Sequence, residues 1–222
     1  DGKKVYYISN KSSDYFGPAG IYEYDLETKK EKNIVGGVRS TFSFIPGQDK
    51  IIYAKISDDN KNWYNVHDLF VYDLTTKDET RLTYNLRANN PSISNDGKKI
   101  VFLFQKDGTT NLGSVDVDGK NFKRLTFFEN GEQVYNPKYS TDDSYIIFDY
   151  SYANTRDIAK VNSDGGNVEF IIATDNDERN PTFDKEGNLV YSSDETGIYN
   201  IYSYDLTSKS KTQLTNVLGG AF

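Results

Sequence analysis

The one side chain in this sequence that titrates near neutral pH is His67, and no second histidine accompanies it. A serine hydrolase would use such a histidine as its base, between a nucleophilic serine and an orienting carboxylate. No Gly-x-Ser-x-Gly elbow occurs anywhere in the chain, so His67 has no recognisable nucleophile to serve. There is no cysteine, which removes thiolate nucleophiles, disulfides and cysteine-based zinc sites. With a single histidine, only carboxylates remain as metal ligands. No Gly-x-x-x-x-Gly-Lys phosphate loop is present. Adjacent acids such as Asp58-Asp59 and Asp177-Glu178 are expected on solvated loops in a chain with 33 acidic residues. A glycosidase needs two carboxyls held across a cleft, and spacing alone nominates none. The string Asp116-Val117-Asp118-Gly119-Lys120-Asn121 opens like a calcium loop, but Lys120 fills the fifth position and Phe127 the twelfth. The same slot elsewhere reads Asp73-Leu74-Thr75-Thr76 and Asn162-Ser163-Asp164-Gly165, which identifies a hairpin. The sequence therefore nominates no catalytic residue, no metal site and no cofactor.

Recognition chemistry is better represented. Trp63, Tyr64 and His67 lie close together, Tyr15 and Phe16 form a second aromatic group, and Arg87, Arg156 and Arg179 punctuate an otherwise acidic chain. Trp, Tyr and Arg are the residue types that most often dominate binding energy. These eight are the candidate partner-binding residues, provided that the fold brings them to one place.

The elements that must do so repeat along the chain. A turn followed by an apolar run occurs before Val5, Ile51, Ile100, Ile146 and Leu189, giving spacings of 46, 49, 46 and 43 residues. Each period carries an alternating third strand, as in Leu69-Phe70-Val71-Tyr72-Asp73 or Ile201-Tyr202-Ser203-Tyr204-Asp205. A short fourth strand follows, clearest in Thr80-Arg81-Leu82-Thr83, Lys123-Arg124-Leu125-Thr126 and Thr212-Gln213-Leu214-Thr215. Lys32-Asn33-Ile34-Val35 and Glu169-Phe170-Ile171-Ile172 are degenerate copies. A first strand is expected to begin at Asn90-Pro91, Asn136-Pro137 and Asn180-Pro181, the proline sitting where no amide is needed and pushing its asparagine to extended geometry. Four short strands at this period describe a blade of an all-β β-propeller. The expectation is a single propeller domain or partial propeller over 1–222, with five four-stranded repeats at about 1–37, 38–86, 87–132, 133–177 and 178–222. Either residues near Phe222 close a five-bladed ring onto the first repeat or, the favoured reading, the five are part of a six- to eight-bladed ring.

Strand direction sorts the loops. The connections between strands four and one and between strands two and three share one face, and they are the long ones. That face receives Tyr15, Phe16, Trp63, Tyr64 and His67 from two-to-three loops, and Arg87 and Arg179 from four-to-one loops. Arg156 is expected there from the short two-to-three loop of the fourth repeat. Function concentrates on such loops when a rigid scaffold holds them.

The segment Asn90-Pro91-Ser92-Ile93-Ser94-Asn95-Asp96-Gly97-Lys98-Lys99-Ile100-Val101-Phe102, with Arg124-Leu125-Thr126 closing the same repeat, resembles the WD-like propeller repeat of TolB-type proteins. The tail Gln213-Leu214-Thr215-Asn216 with Gly219-Gly220-Ala221-Phe222 is similar to a junction between such blades. Ile171-Ile172-Ala173-Thr174 departs from the pattern, as does the second repeat, which lacks the Asp-Gly pair. The resemblance implies a periplasmic or extracellular protein of the bacterial envelope. It also implies a non-catalytic module that binds a protein or a surface polymer, or alternatively a gating propeller attached to a secreted peptidase. The formal net charge of -7 repels phosphate backbones, so neither nucleic acid nor an anionic membrane is an expected partner. No apolar run reaches the roughly 18 residues that a membrane span requires. The opening Asp1-Gly2-Lys3-Lys4, without an initiator methionine, suggests a piece of a longer chain with flanking domains.

Overall fold

A computed structural model describes residues 2–13, 18–57, 66–153 and 155–221. Every regular element among them is a β-strand. The chain divides into two compact units, Asp1–Pro91 and Ser92–Phe222. The first contains β1 (Lys4–Ser9), β2 (Ala19–Asp25), β3 (Glu31–Phe44), β4 (Lys50–Ile56), β5 (His67–Asp73) and β6 (Glu79–Arg81), hydrogen-bonded in that order as one sheet. Next comes β7 (Asn89–Ile93), within which the boundary between the units falls, and it is followed by β8 (Lys99–Lys106), β9 (Thr109–Asp116) and β10 (Lys123–Arg124). A third sheet holds β11 (Gln133–Tyr139), β12 (Tyr145–Tyr152), β13 (Thr155–Asn162) and β14 (Glu169–Ile172). The fourth holds β15 (Glu178–Phe183), β16 (Leu189–Ser193), β17 (Asn200–Tyr204) and β18 (Lys211–Gln213).

The fold is an all-β propeller of four blades, not the five four-stranded blades expected. The cause is β3: the outer strand of the first repeat runs without a break into the inner strand of the second. Its early residues pair with β2 and its later ones with β4, so two repeats share a six-stranded sheet.

Local chemistry explains that fusion. In the second, third and fifth repeats a threonine closes the outer strand. The hydroxyl of Thr83 accepts from the Leu69 N–H at 2.9 Å and donates to Asp68 Oδ1 at 2.9 Å. Thr126 does the same with Leu112 and Asn111, both at 2.9 Å, and Thr215 with Ile201 at 2.9 Å and Asn200 at 3.0 Å. The side chain two residues earlier, Arg81, Arg124 or Gln213, donates back to the threonine carbonyl at 2.7–2.8 Å. Each hydroxyl thus adds one rung to a strand of only two or three residues and turns the chain away from its sheet. In the first repeat Gly20 occupies the Asp/Asn slot, and a Cβ there would lie 2.5 Å from the Asn33 side chain. With no cap to turn it, the chain continues as β3.

The apolar runs of β4, β8 and β12 are buried on both faces, which is why they read as continuous rather than alternating. Ile51, Ile52, Tyr53 and Ala54 in β4 are fully buried, as are Ile100, Val101 and Phe102 in β8 and Ile146, Ile147 and Phe148 in β12. Side chains of this size contribute about 1.5–3 kcal/mol each when fully buried.

The Asn-Pro pairs differ from the expectation. Asn90, Asn136 and Asn180 have φ of 48°, 49° and 55°, the left-handed region and not extended backbone. Each lies inside its strand, and the pairing register shifts between Tyr135 and Lys138 and between Arg179 and Thr182. The motif is therefore a bulge. Asparagine tolerates the left-handed conformation better than most residues, and proline is admitted at a bulge on an edge strand.

Thr126→Val is expected to lower unfolding free energy by about 1–3 kcal/mol, because it strands the buried Leu112 N–H and a lone pair of Asn111. Thr212→Val, at an exposed position of β18, should change it by less than about 0.5 kcal/mol. Urea unfolding of both variants checks this, and equal losses would show that the hydroxyl does not act as a rung.

Candidate functional site

The bulges at Asn136 and Asn180 aim polar groups at one carboxylate. Asp149, in β12, is fully buried, yet the same slot holds Ala54, Leu103 and Ser192 in other repeats. Its Oδ2 accepts from Asn136 Nδ2 at 3.1 Å, from the Asn180 N–H at 3.3 Å and from Arg156 Nη1 at 3.4 Å. Its Oδ1 is buried without a partner among the described residues. Burial pushes the carboxyl up to about 6, against the opposing pull of Asn180, Asn136 and Arg156.

A second buried acid lies beside the bulge of β15. Glu178 occupies a slot that holds Ala88 and Val134 elsewhere. Its Oε1 accepts from Thr174 at 2.7 Å, and its Oε2 has no partner among the described residues. Burial pushes its carboxyl up to about 7, and the nearby charges of Asp157 and Asp194 push the same way. The supply of Thr174 follows from the irregular fourth repeat. Its outer strand bulges, Ala173 replaces the closing threonine, and the displaced Thr174 hydroxyl reaches Glu178 instead.

Two arginines lie near Asp149, one bonded to it and the other sensing its charge. Arg156 lies over the Tyr135 ring, 3.9 Å from its centroid. Arg179 lies 5.0 Å from the Tyr199 centroid and binds Asp177 through both Nε and Nη2, while Tyr199 donates to the same carboxylate at 2.8 Å. The groups sense one another: Arg156 helps to hold the Asp177 carboxyl low, and Asp149 helps to hold the Arg179 proton. Asn136 and Asn180 join the two inner strands through a 2.8 Å side-chain bond. Cation–π contact and ion pairing together fix both guanidiniums in place.

Of the candidate residues, the structure brings Arg156 and Arg179 together, but on strands and not on loops. Arg156 is in β13 opposite Ser151, and Arg179 is in β15 opposite Ser192. The bulge after Arg179 extends the inner strand to include it, and the β12–β13 hairpin is tight enough to keep Arg156 in its ladder. His67 likewise opens β5 opposite Ile56, with its Nε2 buried and unpartnered among the described residues. Burial and then the Arg39 charge lower its proton affinity. The Ala88 N–H donates to the His67 carbonyl at 2.8 Å, which places Arg87 beside it. Arg87 is exposed and holds φ of 51°, an uncommon conformation for a residue with a Cβ. Trp63, Tyr64, Tyr15 and Phe16 lie outside the described residues. The described residues contain no group of three or more His, Cys, Asp or Glu side chains arranged to hold a metal. The calcium-like string is a turn in which Asp116 bonds Asn121 and Lys99, and Asp118 bonds Lys120.

Asp149, Glu178, Asp177, Tyr135 and Tyr199 were not among the candidates. Aligning the repeats slot by slot would have found the first two, since each puts a carboxylate where the other copies bury apolar or small side chains.

An acid whose proton is held more tightly in the folded than in the unfolded chain supports the fold only while protonated. The contribution of Asp149 is therefore complete below about pH 4 and is lost as pH rises through about 6; that of Glu178 is lost through about 7. Glu178→Gln is expected to raise the melting temperature at pH 8 and to have a much smaller effect at pH 5. Thermal unfolding at both pH values checks this; an equal loss at both would mean that the carboxylate is structurally required.

Comparison with known proteins agrees with this architecture. A family model described as the TolB beta propeller domain matches residues 1–221. No curated protein matches the sequence. Among solved structures, TolB from Acinetobacter baumannii superposes with a TM-score of 0.78 at 21% identity, covering 99% of this chain and 53% of that one. This chain thus spans about half the length of that relative. Oligogalacturonate lyase from Vibrio parahaemolyticus gives a TM-score of 0.68 at 17% identity, covering 97% and 62% of the two chains. The propeller domain of the Trilobed protease from Pyrococcus furiosus gives 0.61 at 16% identity, covering 100% and 81%. Likeness at these identities establishes the fold alone, and these three proteins do not share one activity. The repeat motif, the blade topology and the family match agree: this chain belongs to the TolB β-propeller domain family.

Proposed function

We propose that this chain is a non-catalytic binding and scaffold module of the bacterial envelope or exterior, which docks a protein partner through the surface around Arg156 and Arg179. The observation that carries this reading is the state of Arg156. Its guanidinium is fixed on a tyrosine face and held by one bond to a buried carboxylate, and its remaining N–H groups have no partner among the described residues. A pre-organised donor array of this kind loses little conformational entropy when it meets a ligand. The buried carboxyls of Asp149, its bonding partner, and of Glu178 disfavour folding at neutral pH, a pattern common where function, and not stability, has selected the residues. Envelope placement rests on kinship with TolB-type propellers.

A second reading is an accessory propeller within a larger secreted enzyme. Similarity to the propeller domain of the Pyrococcus furiosus Trilobed protease favours it. A hydrolase elbow or a zinc motif encoded in the same open reading frame would select this alternative.

The isolated chain is expected to show no turnover when profiled against ester, peptide and glycoside substrates. Turnover that survives repurification and disappears in His67→Ala would overturn the non-catalytic assignment.

A further inference from the structure

Resting on that docking role, we propose that Arg156 and Arg179 form a clamp for a single carboxylate presented by a protein partner, either an Asp or Glu side chain or a chain terminus. Arg156 commits only Nη1 to Asp149, so Nε and Nη2 have no partner among the described residues. Arg179 commits Nε and Nη2 to Asp177, which leaves Nη1. Both side chains are reachable, at 25% and 33% exposure, whereas Asp149 behind them has none. The planar guanidinium fork matches a carboxylate in geometry, and a charge-assisted bond of this type is among the stronger polar contacts available to a protein.

The balance of charge favours an anion over a cation. Asp177 is already satisfied by Arg179 and Tyr199, and Asp149 Oδ1 is sealed from solvent, so neither acid offers an open lone pair to an incoming cation. Burial holds the Asp149 proton up to about pH 6, and protonation there frees the charge of Arg156 for an external anion. Arg179 and Asn180 from β15, Asp177 just before that strand, and Asn136 from β11 are the other polar groups near this point.

Two observations favour a protein carboxylate over an acidic polysaccharide. The chain carries a net charge of -7, which repels a polyanion at long range but scarcely opposes a single carboxylate on a neutral or basic partner. The ring faces that could serve as a sugar platform in this cluster, those of Tyr135 and Tyr199, are already covered on one side by guanidiniums.

The test is a side-chain NMR titration of the whole chain, following the arginine Nε–Hε signals. The probes are N-acetyl-glutamic acid α-amide, its neutral glutamine counterpart and galacturonate. Saturable shifts at Arg156 and Arg179 with the glutamate probe, and none with the neutral one, are expected. Arg156→Gln should weaken the response at least tenfold. Arg156→Lys, which keeps the charge and guards against a folding defect, should weaken it several-fold because the fork is lost. Lys185→Gln, a change at a highly exposed lysine, should leave it unaltered. Non-saturating shifts, equal shifts with the neutral probe or an unchanged response in Arg156→Lys would overturn the proposal. Saturation by galacturonate at lower concentration than by the glutamate probe would also overturn it, in favour of a sugar acid. None of these outcomes bears on turnover, so the clamp and the non-catalytic assignment fail independently.

Discussion

A threonine hydroxyl bonded to an Asp or Asn of the neighbouring strand governs how each repeat ends. The outer strands β6, β10 and β18 contain only three, two and three residues, too few for their own ladder bonds to hold them. Thr83, Thr126 and Thr215 add one rung each and satisfy a buried or half-buried polar partner at the same time. Where this bond is missing the chain does something else. In the first repeat it runs on as β3, and in the fourth it bulges and hands its threonine to Glu178. The candidate site lies where the repeat rule is broken, next to strands that keep it.

That departure has an electrostatic counterpart. Asp149 and Glu178 replace apolar or small residues at buried strand positions, so two carboxyls are held in surroundings that disfavour their charge. Arg156 pairs with Asp149 and Arg179 with Asp177, each guanidinium braced on a tyrosine. The left-handed asparagines supply what the arginines do not. Asn136 and the Asn180 N–H both bond to Asp149, which a first strand in extended geometry at those residues would not arrange.

The repeat period, the apolar second strands and the alternating third strands were legible in the sequence, because each follows from a short-range pattern of side-chain types. The short outer strands were legible for the same reason, down to the degenerate copy at Glu169–Ile172. The blade count was not. Whether Ile34-Val35-Gly36-Gly37 ends a strand or continues one depends on Gly20, a partner in another strand that no local pattern reveals. Nor was the Asn-Pro geometry legible, because proline's general effect on its predecessor yields here to a bulge that Asn tolerates. For the site, residue type picked out Arg156 and Arg179, but Asp149 and Glu178 were hidden in a chain with 33 acidic residues. Only their own burial marks them.

The unbroken β3 also bears on how this unit comes apart. Where a turn separates two sheets, one sheet can open while its neighbour keeps its hydrogen bonds. A 14-residue strand that serves both repeats offers no such seam. Peeling β3 from β2 strains the same backbone that pairs with β4, so the first two repeats should share one opening free energy and exchange their amide protons as one cooperative block. The sequence repeat and the unit of unfolding then differ in size: about 46 residues for the one, and six strands for the other.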